Sequence, residues 1–225
     1  MTLWIILAAV IVGISFILAY SSMRDLQESP KDFNLTYGLY LIRREDGLTE
    51  ALLEKVHQEL TPERALISFE GLMKGTKRAL TIFGPAAILR AFIVPLDLLE
   101  LEDYSKQSEE TKKARFWEAG FKKGVSQSVA FPELLPNEQI WRQVLLLPKK
   151  NGGWFSVMRT AVLAEDNLRA EKLEKMELEA EGKSGLITIP EAYSDLQFGK
   201  FYHERSTSRK ILYGAENKDV VNLLT

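Results

Sequence analysis

Residues 2–20 form an unbroken apolar run without a single charge. A helix needs about 20 mostly apolar residues to cross a bilayer core, and no later stretch of the chain matches this one. Trp4 and Tyr20 sit near its ends, where amphipathic rings favour the headgroup layer. No Lys or Arg precedes the run, and it is longer than the apolar core of a secretory signal. It therefore reads as an uncleaved anchor. Residues 1–22 are the expected transmembrane anchor, and residues 23–34, polar and broken by Ser29-Pro30, the expected tether. Arg24 and Lys31 follow the run while no basic residue precedes it. The positive-inside rule then predicts that the larger part lies in the cytoplasm, beneath an inner membrane crossed once.

Beyond the tether the period changes to two. In residues 35–42, Leu35, Tyr37, Leu39 and Leu41 share one face, which predicts a half-buried strand. Thr49 is a good helix N-cap, Leu48 before it can staple onto Leu53, and Leu52, Val56 and Leu60 recur at helical spacing up to Pro62. His57 lies beside that stripe. Residues 65–71 and 78–83 alternate again around Lys74-Gly75-Thr76-Lys77, the pattern of a hairpin. Gly84-Pro85 opens a short helix carrying Ile88, Leu89 and Phe92 inward, and Val94-Pro95 closes it. A last strand follows over 96–103, with Leu99 and Leu101 inward. Strand, helix, strand, strand, helix, strand is the ferredoxin-like βαββαβ order, expected over residues 35–104.

The second half is less regular. Residues 104–113 read as a linker or exposed turn, and 114–123 as a helix with Phe116, Trp117 and Phe121 partly buried. Residues 139–147 predict a strand closed by Pro148. From Trp154 the spacing of Val157, Ala161, Ala164 and Leu168 is helical. Residues 165–181 are rich in Glu and Lys, with Glu171 and Lys175 at i,i+4. A long, solvated, charged helix is expected there, with a partner-binding helix as the alternative. The predicted α+β fold thus has a smaller α/β extension over 105–181, then a tail over 182–225 with a short strand at 186–189. In that tail Phe198, Phe201, Tyr202 and Tyr213 are interleaved with Lys200, Arg205, Arg209 and Lys210.

Composition narrows the chemistry. The 225 residues carry 29 Lys and Arg against 31 Asp and Glu, a net charge of −2. A general nucleic-acid binder is usually basic, so nucleic acid is not the expected partner. The interleaved basic and aromatic residues of the tail keep a nucleic-acid-contacting accessory role as an alternative. There is no Cys and there are two His, which excludes disulfides and thiolate sites and argues against a histidine-based metal site or triad. No cofactor motif is present. Residues 71–77 superficially resemble a phosphate loop but have three residues between the glycines and the order Thr-Lys; a hairpin turn explains them. Residues 78–83 lack the paired aromatics of RNA-binding sheets. Glu100 and Glu102 share a strand face and could do acid–base work, but nothing marks a pocket around them. The expectation is a non-enzymatic chain.

Three stretches carry a resemblance: Ile67-Ser68-Phe69-Glu70; Glu100-Leu101-Glu102-Asp103-Tyr104; and Asn137-Glu138-Gln139-Ile140-Trp141, followed by Gln143 and residues 145–148. In order and spacing they resemble membrane-anchored, largely uncharacterised proteins of Patescibacteria, the candidate phyla radiation. Those proteins are commonly encoded beside conjugation-type, or type IV secretion, ATPases. The resemblance spans roughly residues 35–165 and implies a scaffold or assembly role near a membrane ATPase, with no active site. Residues 89–96 lack that family's Gly-Gln-Tyr-type helix sequence, and the tail has no counterpart. The candidate partner-binding residues are Glu100, Glu102, Asp103 and Tyr104, an acidic edge ending in an aromatic, together with Trp141. The opposite membrane orientation would make the chain an extracytoplasmic envelope binding module instead.

Overall fold

The computed structural model describes residues 35–104, 113–121, 124–125, 128–189, 195–206 and 213–224, all within one unit spanning Asp32–Thr225. The predicted anchor and tether, with Trp4 and Tyr20, lie outside the described residues. Among the described residues no helix is long and apolar enough to cross a membrane.

The fold is α+β, built on a single antiparallel sheet. Its strands are β1 (Tyr37–Ile42), β2 (Ile67–Lys74), β3 (Lys77–Pro85), β4 (Leu98–Leu101), β5 (Lys113–Phe121), β6 (Gln139–Pro148), β7 (Trp154–Ala164), β8 (Leu186–Ile189) and β9 (Tyr213–Ala215). They lie in the order β4-β1-β3-β2-β6-β7-β5-β8, with β9 added beside β7. The helices are α1 (Glu50–Leu60), α2 (Ala86–Leu89), α3 (Ile93–Leu96), α4 (Asn167–Ser184), α5 (Asp195–Glu204) and α6 (Asn217–Leu224). β2 and β6 pair from Ile67–Leu146 to Lys74–Gln139. One sheet therefore runs through both of the segments predicted on either side of residue 104.

The helix signals act as read. Thr49 Oγ1 accepts from the Leu52 N–H at 3.2 Å, capping α1. Leu53, Val56 and Leu60 join Phe69, Ile82 and Val144 in the main core. α6 adds Val220 and Leu223 to the same core. α4 lies on this face as well, since Ala170 and Leu173 pack with Trp117, Ile140 and Val162.

Several expectations are corrected. Residues 114–123 are not a helix: Lys113–Phe121 is a strand paired with β7 and β8. Aromatics suit a pleated surface, and the pairing is with segments far along the chain, which local spacing does not report. The helical reading from Trp154 fails because β7 is a central strand. Its side chains are buried on both faces almost throughout, so the alternation of a half-buried strand is missing.

α4 does not project into solvent. Its buried residues are Ala170, Leu173, Glu177, Glu181 and Ser184, a helical stripe interrupted by two glutamates. Those glutamates hid it from a hydrophobic count. Glu171 accepts from Arg115 at 2.6 Å across to β5, in place of the expected pairing with Lys175. In β1, Tyr40 and Ile42 enter the main core, while Tyr37 stacks on Phe83 on the opposite face. In β4 the inward residue is Leu98 and Leu99 is exposed, because Leu98 stands opposite core-facing Ile42. The helix after Pro85 is also not closed by Val94-Pro95: Pro95 lies within α3.

Gly185 ends α4 in the left-handed region, φ 91°, where its N–H reaches the carbonyls of Glu181 and Gly182. Gly185→Ala is expected to cost about 1 kcal/mol, since a Cβ is strained in that conformation. A urea midpoint measured on both chains checks this.

Candidate functional site

Register places five polar residues in one transverse row on the sheet face opposite the main core. Glu118 stands opposite Arg159, Arg159 opposite Gln143, Gln143 opposite Glu70 and Glu70 opposite Thr81. All five are buried. An unpaired charge in such a place would be expensive, and each charge here has a partner. Arg159 Nε donates to Glu118 Oε1 at 2.9 Å, and Gln143 Nε2 donates to Glu70 Oε1 at 3.1 Å.

Glu70 is the centre of this arrangement. Ser68 Oγ donates to its Oε1 at 2.8 Å, and Tyr104 donates to its Oε2 at 2.5 Å. Arg205, arriving at the end of α5, grips both oxygens, with Nε at 2.7 Å from Oε1 and a terminal nitrogen at 3.2 Å from Oε2. The same guanidinium reaches Asp103 at 3.1 Å and lies over the Phe83 ring at 4.4 Å. Burial works against the charge of Arg205, but the attraction of Glu70 and the bonds to Glu70 and Asp103 override it and hold the group protonated. Burial, with Tyr202 and Glu70 nearby, pushes the Tyr104 phenol well above its ordinary range. It therefore stays a hydrogen-bond donor.

Beside this network stands an aromatic group. Trp141 meets Tyr104 edge-on at 5.7 Å and lies 5.9 Å from Tyr202. Next to Trp141 and Tyr104 a groove of about 290 Å³ opens over Leu72, Ala79, Lys74 and Lys77.

A second buried charge cluster lies on the helix face. Arg142 donates to Glu177 at 2.7 Å and stacks on Phe131 at 3.7 Å. One turn on, Glu181 accepts from Trp117 Nε1 at 2.8 Å and from Thr160 Oγ1 at 2.7 Å. Burial is the main cause that pushes Glu181 up to about 7.

The sequence candidates divide. Asp103, Tyr104 and Trp141 come together in the Glu70 network. Glu100 and Glu102 are exposed at and just beyond the end of β4. Tyr202 and Arg205 of the tail are buried; Arg209 and Lys210 lie outside the described residues. Glu70 escaped sequence reasoning because alternation turns it to the solvent side of β2, and Glu118 and Arg159 because their strands read as helices. His57 is buried against Trp154, with ring centroids 4.9 Å apart. Among the described residues no three His, Asp or Glu gather as metal ligands would. In comparisons with known proteins, no protein-family model matches this chain and no curated protein matches it significantly.

Proposed function

We propose that the chain is a single-span, membrane-anchored, non-enzymatic scaffold that docks a conjugation- or secretion-type ATPase at the inner membrane from the cytoplasmic side. In this reading residues 35–104 are a ferredoxin-like unit, which the strand order β4-β1-β3-β2 supports.

The observation that carries the docking role is the β4 edge. Among the described residues β4 is the last strand on its side of the sheet, and one of its backbone edges has no sheet partner there. Edge strands are templates for another chain. Here Leu99 is 49% exposed, flanked by Glu100 and followed by Glu102. Neither glutamate has an ion pair among the described residues. An exposed apolar side chain followed by acids suits a partner segment that offers lysine or arginine.

The buried acids favour a structural role. Glu70, Glu118 and Glu177 are each held by an arginine. Glu181 lies on the buried face of α4 and does not line the groove beside Trp141. General acid–base work needs a carboxyl within reach of substrate.

The test is capture of a purified conjugation-type ATPase by the full chain in detergent. Glu100→Lys combined with Glu102→Lys is expected to weaken capture at least about tenfold, or 1.4 kcal/mol, with an unchanged urea midpoint. Asp103→Lys is unsuitable, since it would set a cation against Arg205. Equal capture by the double variant removes the β4 edge from the account.

A further inference from the structure

The two faces of β4 differ in chemistry. Register sets Leu99 opposite Leu41 and Leu101 opposite Leu39, on the sheet face turned away from the main core. Glu100 stands opposite Tyr40, on the face of the main core. Leu99 is half-exposed, and Glu100 is exposed. Glu102, just beyond the strand, adds a second exposed acid. The outer boundary of the sheet is therefore aliphatic on one face and acidic on the other.

Its backbone is equally specific. In an antiparallel pair, alternate residues turn their N–H and C=O groups toward the partner. β1 takes up one alternate set of β4, and the other set points outward, away from every described strand.

We propose, resting on β4 as the docking edge, that the partner's docking segment is an extended strand of alternating apolar and basic residues. It adds to β4 with its apolar side chains beside Leu99 and Leu101 and a lysine or arginine beside Glu100. Directly opposed residues of paired strands share a face and interact. Such a segment thus extends both faces at once, aliphatic against aliphatic and cation against acid, while its backbone takes the outward groups of β4. A helix fits less well, because its own N–H and C=O groups are bonded internally and the edge of β4 would be left to water. A second copy of this chain also fits less well. Two β4 strands paired about Glu100 set Glu100 against Glu100, and like charges directly opposite are destabilising. Paired about Leu99, they set each Glu100 against Leu98 and leave the acid without a cation. The outer strand at the other end of the sheet, β8, reads Leu-Ile-Thr-Ile and has no charge with which to choose a partner.

The experiment follows the anisotropy of a fluorescein-labelled peptide, Lys-Val-Lys-Val-Lys-Val-Lys, added to the full chain in a non-ionic detergent. An isomer with its lysines and valines in separate blocks carries the same charge. The alternating peptide is expected to bind at least about tenfold more tightly than the isomer. Glu100→Lys should weaken its binding at least about tenfold, with circular dichroism unchanged. Methylating the amide nitrogens of the lysines, or those of the valines, blocks one edge of the peptide or the other. Only one edge faces β4, so one methylated peptide should lose binding and the other keep it. Four results would each overturn the proposal: no binding of the alternating peptide, equal binding of the block isomer, undiminished binding by Glu100→Lys, or equal affinities for the two methylated peptides. The first would leave Glu100 as a charge that keeps the edge unpaired. No ATPase enters this measurement. Peptide binding without ATPase capture would sink the ATPase reading alone, and ATPase capture without peptide binding would sink the added strand alone.

Discussion

Arg205→Ala is expected to lower the unfolding free energy by about 3–5 kcal/mol, the range for removing one partner of a buried ion pair. The guanidinium is almost wholly buried and grips Glu70, whose side chain has no exposure at all. Removing it leaves a carboxylate enclosed by β2, β6 and Tyr104 without its cation, and it also takes one partner from Asp103. It unties the tail as well, because Arg205 at the end of α5 joins that helix to β2 and to Asp103 after β4. The expected readout is a lower urea midpoint with little change in the slope. The double variant Glu70→Gln with Arg205→Met is the control. It leaves no unpaired charge on β2, and the carbonyl of the new amide can still accept a hydrogen bond from Ser68 or Tyr104. It is expected to recover at least half of the loss, because neutral replacements of a buried pair are often tolerated. If the double variant were as unstable as Arg205→Ala, the penalty would come from lost packing against Phe83 and not from the stranded charge.

The second large effect is a pH dependence. In the unfolded chain Glu181 titrates near 4.5; in the fold it titrates near 7, chiefly through burial. Below pH 4.5 it is protonated in both states and contributes nothing. Between 4.5 and 7 the folded state holds the extra proton, so stability falls as pH rises. Above pH 7 the full penalty remains, about 3 kcal/mol at 1.36 kcal/mol per unit. Glu181→Gln removes this contribution while keeping an oxygen for the Trp117 N–H and an amide that can donate to Thr160. The variant should match the parent at pH 4.5 and be more stable by up to about 3 kcal/mol at pH 8. Some slope should survive in the variant, since burial raises Glu177 in the same direction. Parallel stability–pH curves for the two chains would show that Glu181 binds its proton equally well in the folded and unfolded states.

These two residues also show where the sequence is opaque. β1, the β2–β3 hairpin, α1, β6 and β8 were legible because each presents a recognisable period, a capping residue or clear turn residues. β7 was not, because a strand buried on both faces shows no alternation. α4 announced itself as charged, and only the fold shows that Glu177 and Glu181 belong to its buried stripe. The same reversal hides the Glu70 row. Glu70 alternates with Ile67 and Phe69 in β2, so the pattern assigns it to solvent. The contact with Arg205 that buries it spans 135 residues of chain, and no local signal foreshadows it. Asp103, Tyr104 and Trp141 were legible as candidates because acids and aromatics at strand ends invite attention. Their convergence around Glu70 depends on β6 pairing with β2, which spacing along the chain does not express.

The central claim is a membrane-anchored scaffold whose folded unit faces the cytoplasm, and topology tests it most directly. The full chain carries a C-terminal tag, and protease is added to intact spheroplasts and then to permeabilised ones. The account predicts a tag protected until the membrane is opened, recovered with the membrane fraction. A tag digested in intact spheroplasts would place the folded unit outside, beyond reach of an ATPase, and would contradict the account.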